Sequence, residues 1–230
     1  WLAGQTSKVQ FRTNILLAAL RRPVVLAKMA STIDVLSGGR LALGVGVGWQ
    51  AAEYEAAGLS FEGRGKLLDH AIEVCQTLWR EQRASVSSDL LTFSNIHQMP
   101  KPLQAGGVPI WISGTFRKST RRRPATFGPR WIPWGPDAAD IVNAAPRMRE
   151  AVAEAGGDVS AMRIIGNLGL KKGENGRIDV DASMERVGAM LEAGVTDFSV
   201  RLDTPGDHDD AVAYMEPLVA GFRAAVGRTK

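Results

Sequence analysis

The run Gly44-Val45-Gly46-Val47-Gly48-Trp49 has the residue types from which a surface for a large, flat ligand can be built. Alternate residues of a strand face opposite sides. Leu41, Leu43, Val45 and Val47 therefore share one face, and Ala42, Gly44, Gly46 and Gly48 share the other. The first is bulky enough to pack against helices; the second has almost no side chains. Glycines weaken a strand and mark places where a ligand or another backbone comes close. On this stretch alone both readings stay open, close packing in a crowded sheet or the approach of a ligand. The dinucleotide fingerprint G-x-G-x-x-G is not met, because Val47-Gly48 breaks the spacing.

Other reactive residue types have plainer readings. Cys75 lies on a helical stripe with Leu68, Ala71, Ile72 and Leu78 and reads as core rather than as a reactive thiol. His70 lies off that stripe and is expected at the surface. His97 has no partners at metal-ligand spacing, so no metal site is expected. Asp34 and Arg40 flank the turn before the glycine strand and read as a surface ion pair. Glu53 falls one turn into a helix and reads as a surface residue. No His, Asp or Glu has the context of a general acid or base, so the catalytic residues stay unassigned.

The totals narrow the class. The 230 residues are 45% hydrophobic, enough for a sizeable core and without the signature of disorder. No apolar run reaches the ~18 residues that span a bilayer, and no signal peptide opens the chain, so no membrane partner is expected. A single cysteine excludes an internal disulfide and fits a reducing, cytoplasmic compartment. The net charge of +4 is modest. Its one dense basic run, Lys118 to Arg123, lacks interleaved aromatics and reads as a solvated helix face, not a nucleic-acid patch.

These residues must be positioned by alternating elements. Strands are expected over Val9–Ala19, Leu41–Val47, Val108–Ile112, Arg130–Pro133, Arg163–Leu170 and Thr196–Leu202. A helix starting at Arg22-Pro23 should turn Leu26, Ala30, Ile33 and Leu36 to the core and stop at Ser37-Gly38-Gly39. Helices follow over Gln50–Gly58, Gly65–Trp79 and Phe116–Phe127, the last interrupted or kinked at Pro124. Another opens at Pro136-Asp137 and restarts at Pro146, and one covers Ala182–Ala193. The last begins after Asp207 and carries Val212, Met215, Val219 and Phe222. Residues 85–99 read as a hairpin insertion turning at Asp89, within one domain over residues 1–230.

Six strand–helix units imply a parallel sheet with crossover helices. A (β/α)8 barrel needs eight units and typically ~250 residues. The expected fold is α/β, of the TIM-barrel family, lacking the first two strands: a six-stranded arc whose edges are Val9–Ala19 and Thr196–Leu202. Gly46 to Trp49, Ser113-Gly114-Thr115 and Trp134-Gly135 then all fall at carboxyl ends of strands, where such barrels place their sites. That convergence favours a ligand over mere close packing at the glycine face.

The chain also resembles a known family. Thr13-Asn14-Ile15-Leu16-Leu17, Arg22-Pro23-Val24-Val25-Leu26-Ala27-Lys28, Thr32 to Leu41 and Gly44 to Trp49 carry the resemblance, with Pro100-Lys101-Pro102 and Pro109 to Gly114. They resemble the luciferase-like monooxygenases, and within them the deazaflavin-dependent branch, densely from Val9 to Gly135 and more loosely beyond. The resemblance implies hydride transfer between coenzyme F420 and a small organic substrate, and a homodimer. The alternatives are an FMN-dependent monooxygenase and a degenerate, non-catalytic paralogue acting as a binding subunit. It implies that Gly46, Gly48 and Trp49 line the cofactor ring or its side chain, and that Leu17, Ala18 and Ala19 back the ring. Ser113, Gly114 and Thr115 would present N–H groups and hydroxyls to its phosphate at a helix N-terminus, bordered by Trp134 and Gly135. Three departures stand out: the two absent strands, Pro124 inside a helix, and Pro129-Arg130 in place of an acidic residue and a glycine. The last two are expected to affect the phosphate pocket.

Overall fold

A computed structural model describes residues 1–174 and 176–227; the last residues of the expected 1–230 domain lie outside them. The chain runs α1 (Leu2–Gln5), β1 (Phe11–Arg12), a 3-10 turn (Ala18–Leu20), α2 (Pro23–Leu36), β2 (Leu41–Val45), α3 (Ala51–Ala56) and α4 (Arg64–Arg80). There follow β3 (Ala84–Ser87), β4 (Thr92–Ile96), β5 (Ile110–Gly114), α5 (Lys118–Phe127), β6 (Arg130–Pro133), α6 (Pro136–Ala139) and α7 (Ile141–Glu154). The chain ends with β7 (Arg163–Asn167), β8 (Lys171–Lys172), β9 (Ile178–Asp179), α8 (Val180–Met184), α9 (Val187–Glu192), β10 (Asp197–Ser199) and α10 (His208–Ala225).

Six strands pair in the order β1-β2-β5-β6-β7-β10, every neighbour parallel. The sheet curls into a half-barrel with helices outside, and its edges are the first and last strands of the arc, as expected. β3 and β4 form the expected antiparallel hairpin; β7 ends at Asn167, short of the expected Leu170, and β8 and β9 form a second, unforeseen hairpin beyond it.

The first strand is much shorter than Val9–Ala19. After Arg12 the chain keeps only an isolated bridge, Leu16 to Val45, before Ala18–Leu20 winds into the 3-10 turn. The reason lies in β2. The Thr13 hydroxyl donates to the Gly44 carbonyl at 2.8 Å, and a Cβ on Gly44 would sit 2.1 Å from the Thr13 carbonyl oxygen. The segment lies across the glycine face instead of running beside it, so at Gly44 close packing is the correct reading.

The helix-facing core joins Leu41, Leu43 and Val45 of β2 and Ile110 and Ile112 of β5 to α2 and α4. In α4 the whole expected stripe is buried, Cys75 included at 2% exposure. Burial raises the Cys75 thiol pKa to about 12. His70, expected outside, is half-buried, with its Nε2 enclosed and unpaired. In α2 the buried face is Leu26, Ala27, Ala30, Ser31 and Asp34, while Ile33 and Leu36 are exposed. Asp34 holds the loop before β5: its carboxylate accepts from Leu103 N at 2.8 Å, Gln104 N at 3.3 Å and Gln104 Nε2 at 2.7 Å. Arg40 donates instead to carbonyls of Ala3 (2.9 Å), Thr6 (2.7 Å) and Val9 (2.6 Å), tying down the N-terminal segment. The surface ion pair expected of Asp34 and Arg40 does not form.

The prolines also depart from expectation. α5 runs unbroken through Pro124 and α7 through Pro146; the break near α7 falls earlier, at Asp140. The expected helix over Ala182–Ala193 divides into α8 and α9. In α10 Asp207 caps the first turn, accepting from Asp209 N at 2.9 Å, but only Leu218 is buried, and Val212 and Val219 face outward. The opposite, inner face of the sheet carries its own small cluster, Trp111, Ile132 and Ile165 with Ala42.

Candidate active site

Strand alternation carries the inner face upward from that cluster to a mouth at the carboxyl ends of β2, β5 and β6. There Gly46, Gly48, Trp49, Ser113, Gly114, Thr115 and Trp134 line one cavity of about 530 Å3. This is within the size range of small-ligand pockets. Gly46 is covered by a neighbour: a Cβ there would meet the Ile15 side chain at 2.3 Å, well inside contact distance, and Ser113 Cβ at 3.5 Å. Gly48, at φ +71, lies 3.1 Å below the Leu17 methyls by the same measure. Trp49 and Trp134 stand at the rim, 71% and 59% exposed, two large indoles without a protein partner to cover them.

The loop after β2 is fixed from below. Tyr54, wholly buried on α3, donates its hydroxyl to the Val47 carbonyl at 2.5 Å. Burial pushes the phenol pKa above its ordinary value, opposed by the nearby Arg64 charge, so Tyr54 remains a donor.

The other wall is the turn from β5 into α5. Gly114, at φ +148, passes so close to Thr120 that a Cβ would lie 3.2 Å from its hydroxyl. Ser119 and Thr120, in the first turn of α5, also line the cavity. The N–H groups of such a turn have no partners within the helix and carry the positive end of its dipole. Phe116 N–H is already used, donating to Asp137 Oδ2 at 2.6 Å. Gly135 lies just behind Thr115, whose Cγ2 would be 3.7 Å from a Cβ there.

Sequence reasoning missed the cationic side. Arg64, Arg117 and Arg123 line the cavity together with Ile15 and the Gly63 and Gly65 backbone. Arg64 stacks on Phe61 at 3.7 Å and donates to the Phe61 carbonyl at 3.1 Å, while its Nε is enclosed without a partner. Arg123 is 4% exposed; it pairs with Asp69 at 2.5 Å and donates to Gly65 O at 3.0 Å, clamping α5 to α4. The Lys118 to Arg123 run is therefore not one solvated face, since every third residue of it, Thr120 and Arg123, turns inward. A helical phase analysis of that run carries the signal for Arg123; Arg64 has none.

Leu17, Ala18 and Ala19 are placed differently from one another. Leu17 covers Gly48, whereas Ala18 and Ala19 pack into the helix-facing core. Leu17 follows the segment Thr13–Leu16, which contains a cis peptide between Asn14 and Ile15. Pro129-Arg130, expected to disturb the phosphate end, sits at the opposite end of β6 and borders another cavity. None of the residues lining the mouth is His, Asp or Glu.

Three comparisons bear on this geometry. A family model described as luciferase-like monooxygenase matches residues 1–174. The chain is 28% identical over 222 residues to the uncharacterized protein Rv0953c of Mycobacterium tuberculosis, covering 96% of this chain and 73% of that one. Among solved structures it is similar to the coenzyme F420 dependent tetrahydromethanopterin reductase from Methanopyrus kandleri, with a TM-score of 0.76 and 15% identity. That match covers 99% of this chain and 85% of the other. It is also similar to the oxygenating constituent of 3,6-diketocamphane monooxygenase from Pseudomonas putida, solved with FMN, with a TM-score of 0.61 and 17% identity, covering 99% and 72%. At these identities the two structures share the fold.

Proposed function

Because the chain belongs to the luciferase-like monooxygenase family, we propose that its mouth binds a tricyclic deazaflavin, coenzyme F420, and serves hydride transfer to a small organic substrate. The observation that carries this reading is the meeting in one cavity of a floor of glycine backbone overlain by Ile15, two exposed indoles and a helix first turn lined with hydroxyls. Those parts fit a flat ring attached to a phosphate, at the floor and at the turn respectively.

In this reading Gly46 and Gly48 let the Ile15 and Leu17 side chains seat close against the strand end, the ring lies above Ile15, and Trp49 and Trp134 cover it. Ser113, Thr115 and the first turn of α5 hold the phosphate, with Arg64 and Arg117 supplying positive charge. When bound, the coenzyme supplies the hydride chemistry at its ring. The chain's own part is to orient ring and substrate and to keep water out, which Ile15, Leu17 and the two indoles do by lining or covering the mouth.

FMN is the second candidate, because it also joins a tricyclic ring to a phosphate. Titrating the purified protein with each coenzyme, followed by absorbance or fluorescence of the ring, tests the proposal. Tighter binding of F420 supports it, and tighter binding of FMN selects the monooxygenase alternative. Binding of neither removes the cofactor reading of the mouth and leaves a non-catalytic paralogue.

A further inference from the structure

At the amino-terminal end of the strands the same inner face closes on a second cavity, of about 380 Å3. β1 contributes Arg12, β5 Trp111, β6 Arg130, β7 Arg163 and β10 Asp197, each the first or second residue of its strand. Parallel register brings these scattered positions into one layer: Arg130 is the direct partner of Arg163, and Asp197 lies beside Ile165, two residues on. Three guanidinium groups thus face one carboxylate.

That carboxylate is already engaged. Asp197 accepts from Arg163 Nε at 3.0 Å and from Thr196 Oγ1 at 2.7 Å, and its other oxygen takes an Arg163 terminal nitrogen. Arg12 stacks on Trp111 at 4.7 Å, and its Nε is enclosed with no hydrogen-bond partner. Arg163 lies 5.3 Å from the same ring. Burial, and then the charge of Arg163, lower the pKa of Arg130, against the opposing pull of Asp197. Arginine nevertheless stays protonated at working pH, so the layer keeps two positive charges in excess. Arg40 borders the cavity too, but its guanidinium is committed to the carbonyls of Ala3, Thr6 and Val9. Enclosed donors without acceptors are costly, and this cavity offers room for an acceptor beside them.

We propose that this cavity is a binding site for a small dianion, inorganic phosphate or a dicarboxylate, held by Arg12 and Arg130 against the fixed wall of Arg163 and Asp197. Planar guanidinium forks match the oxygens of either class. With Arg40 counted the cavity carries three positive charges in excess, which favours a ligand carrying more than one negative charge. The site lies at the other end of the strands from the mouth, so it stands independently of the cofactor reading.

Calorimetric titration of the 230-residue protein with succinate and, separately, inorganic phosphate tests it. The expected result is one site for succinate, from which inorganic phosphate displaces it, and which weakens with added salt. Affinity should fall about tenfold or more in Arg12→Gln and in Arg130→Gln, the loss of one charge-assisted contact. Arg130→Lys, which keeps the charge and loses the fork, should fall between parent and Arg130→Gln, and it serves if the glutamine variant fails to fold. Arg83→Gln, at an exposed arginine that lines neither cavity, should bind as the parent does. No binding of either anion at millimolar concentration overturns the proposal. So do folded Arg12 and Arg130 variants that bind succinate as tightly as the parent, or succinate binding lost in Arg83→Gln.

Discussion

The two ends of the inner face handle negative charge by different means. The mouth sets the hydroxyls of Ser113, Thr115, Ser119 and Thr120 and the N–H dipoles of a helix first turn beside Arg64 and Arg117, with its buried arginine, Arg123, already neutralised by Asp69. The amino-terminal end relies on formal charge alone, four arginines including Arg40 for one carboxylate. Between them lies the dry layer of Trp111, Ile132 and Ile165. Dipoles from fixed backbone position a group without a large desolvation penalty, whereas half-buried charges attract strongly and bind indiscriminately by shape. Under the proposed readings the mouth places a particular group within a reaction, and the opposite end holds a small anion.

The largest expected effect breaks both ends together. Gly44 sits midway, and a side chain there would collide with the Thr13 carbonyl, a backbone atom that cannot swing aside. Gly44→Val should cost about 3 kcal/mol of stability, as overpacking of a tight site does. Urea unfolding reads that out, and a loss under 1 kcal/mol would mean that the segment after β1 does not lie across β2 as described.

Gly46→Val separates the ends. Its new side chain meets Ile15, which is 38% exposed and free to move, so the stability cost should be only about 1 kcal/mol. The displaced Ile15 then intrudes on the cavity it lines, and coenzyme affinity should fall at least about tenfold, while succinate binding stays unchanged. Equal losses at both ends would erase the distinction.

The mouth was the legible end because its parts are local. Gly46 to Trp49, Ser113 to Thr115 and Trp134-Gly135 are each a few consecutive residues at a strand end, and the alternation of strands and helices places such ends together. The arginine layer is one residue from each of several strands, and Arg12, Arg130 and Arg163 have no motif around them. Only the register assembles them. Pairwise reasoning failed in the same way at Asp34 and Arg40. They are close in sequence and opposite in charge, yet Asp34 bonds to Gln104 and Arg40 to the N-terminal segment. The prolines misled for a different reason. A helix anchored along one buried face, as α7 is by Ala144, Met148 and Val152, can lose one backbone bond at Pro146, on its exposed side, and continue.

A smaller effect sharpens the mouth itself. Trp134 is exposed, so Trp134→Ala should change stability by no more than about 0.5 kcal/mol. If the indole covers a flat ring, coenzyme affinity should still drop by about 1 kcal/mol, the worth of an aromatic contact. Unchanged affinity would move the ring away from the rim.

The effect that should reach neither end belongs to Cys75, which lies on the helix-facing side of the sheet. Cys75→Ala removes a small buried group and should cost about 1 kcal/mol. Its signature is in the alkaline range. Burial raises the thiol pKa from an ordinary value of 9.0 to about 12. Below pH 9 the thiol is protonated in both folded and unfolded chains, and its contribution to stability is fully present. Above pH 9 the unfolded chain releases the proton and the folded one does not, so stability falls as pH rises towards 12, by up to about 1.4 kcal/mol per pH unit. Urea unfolding at pH 8, 9 and 10 should therefore show a decline in the parent that is shallower in Cys75→Ala, and a thiol reagent should label the native protein slowly throughout. Rapid labelling without unfolding, or parallel declines in the two proteins, would mean that α4 does not present Cys75 to the core.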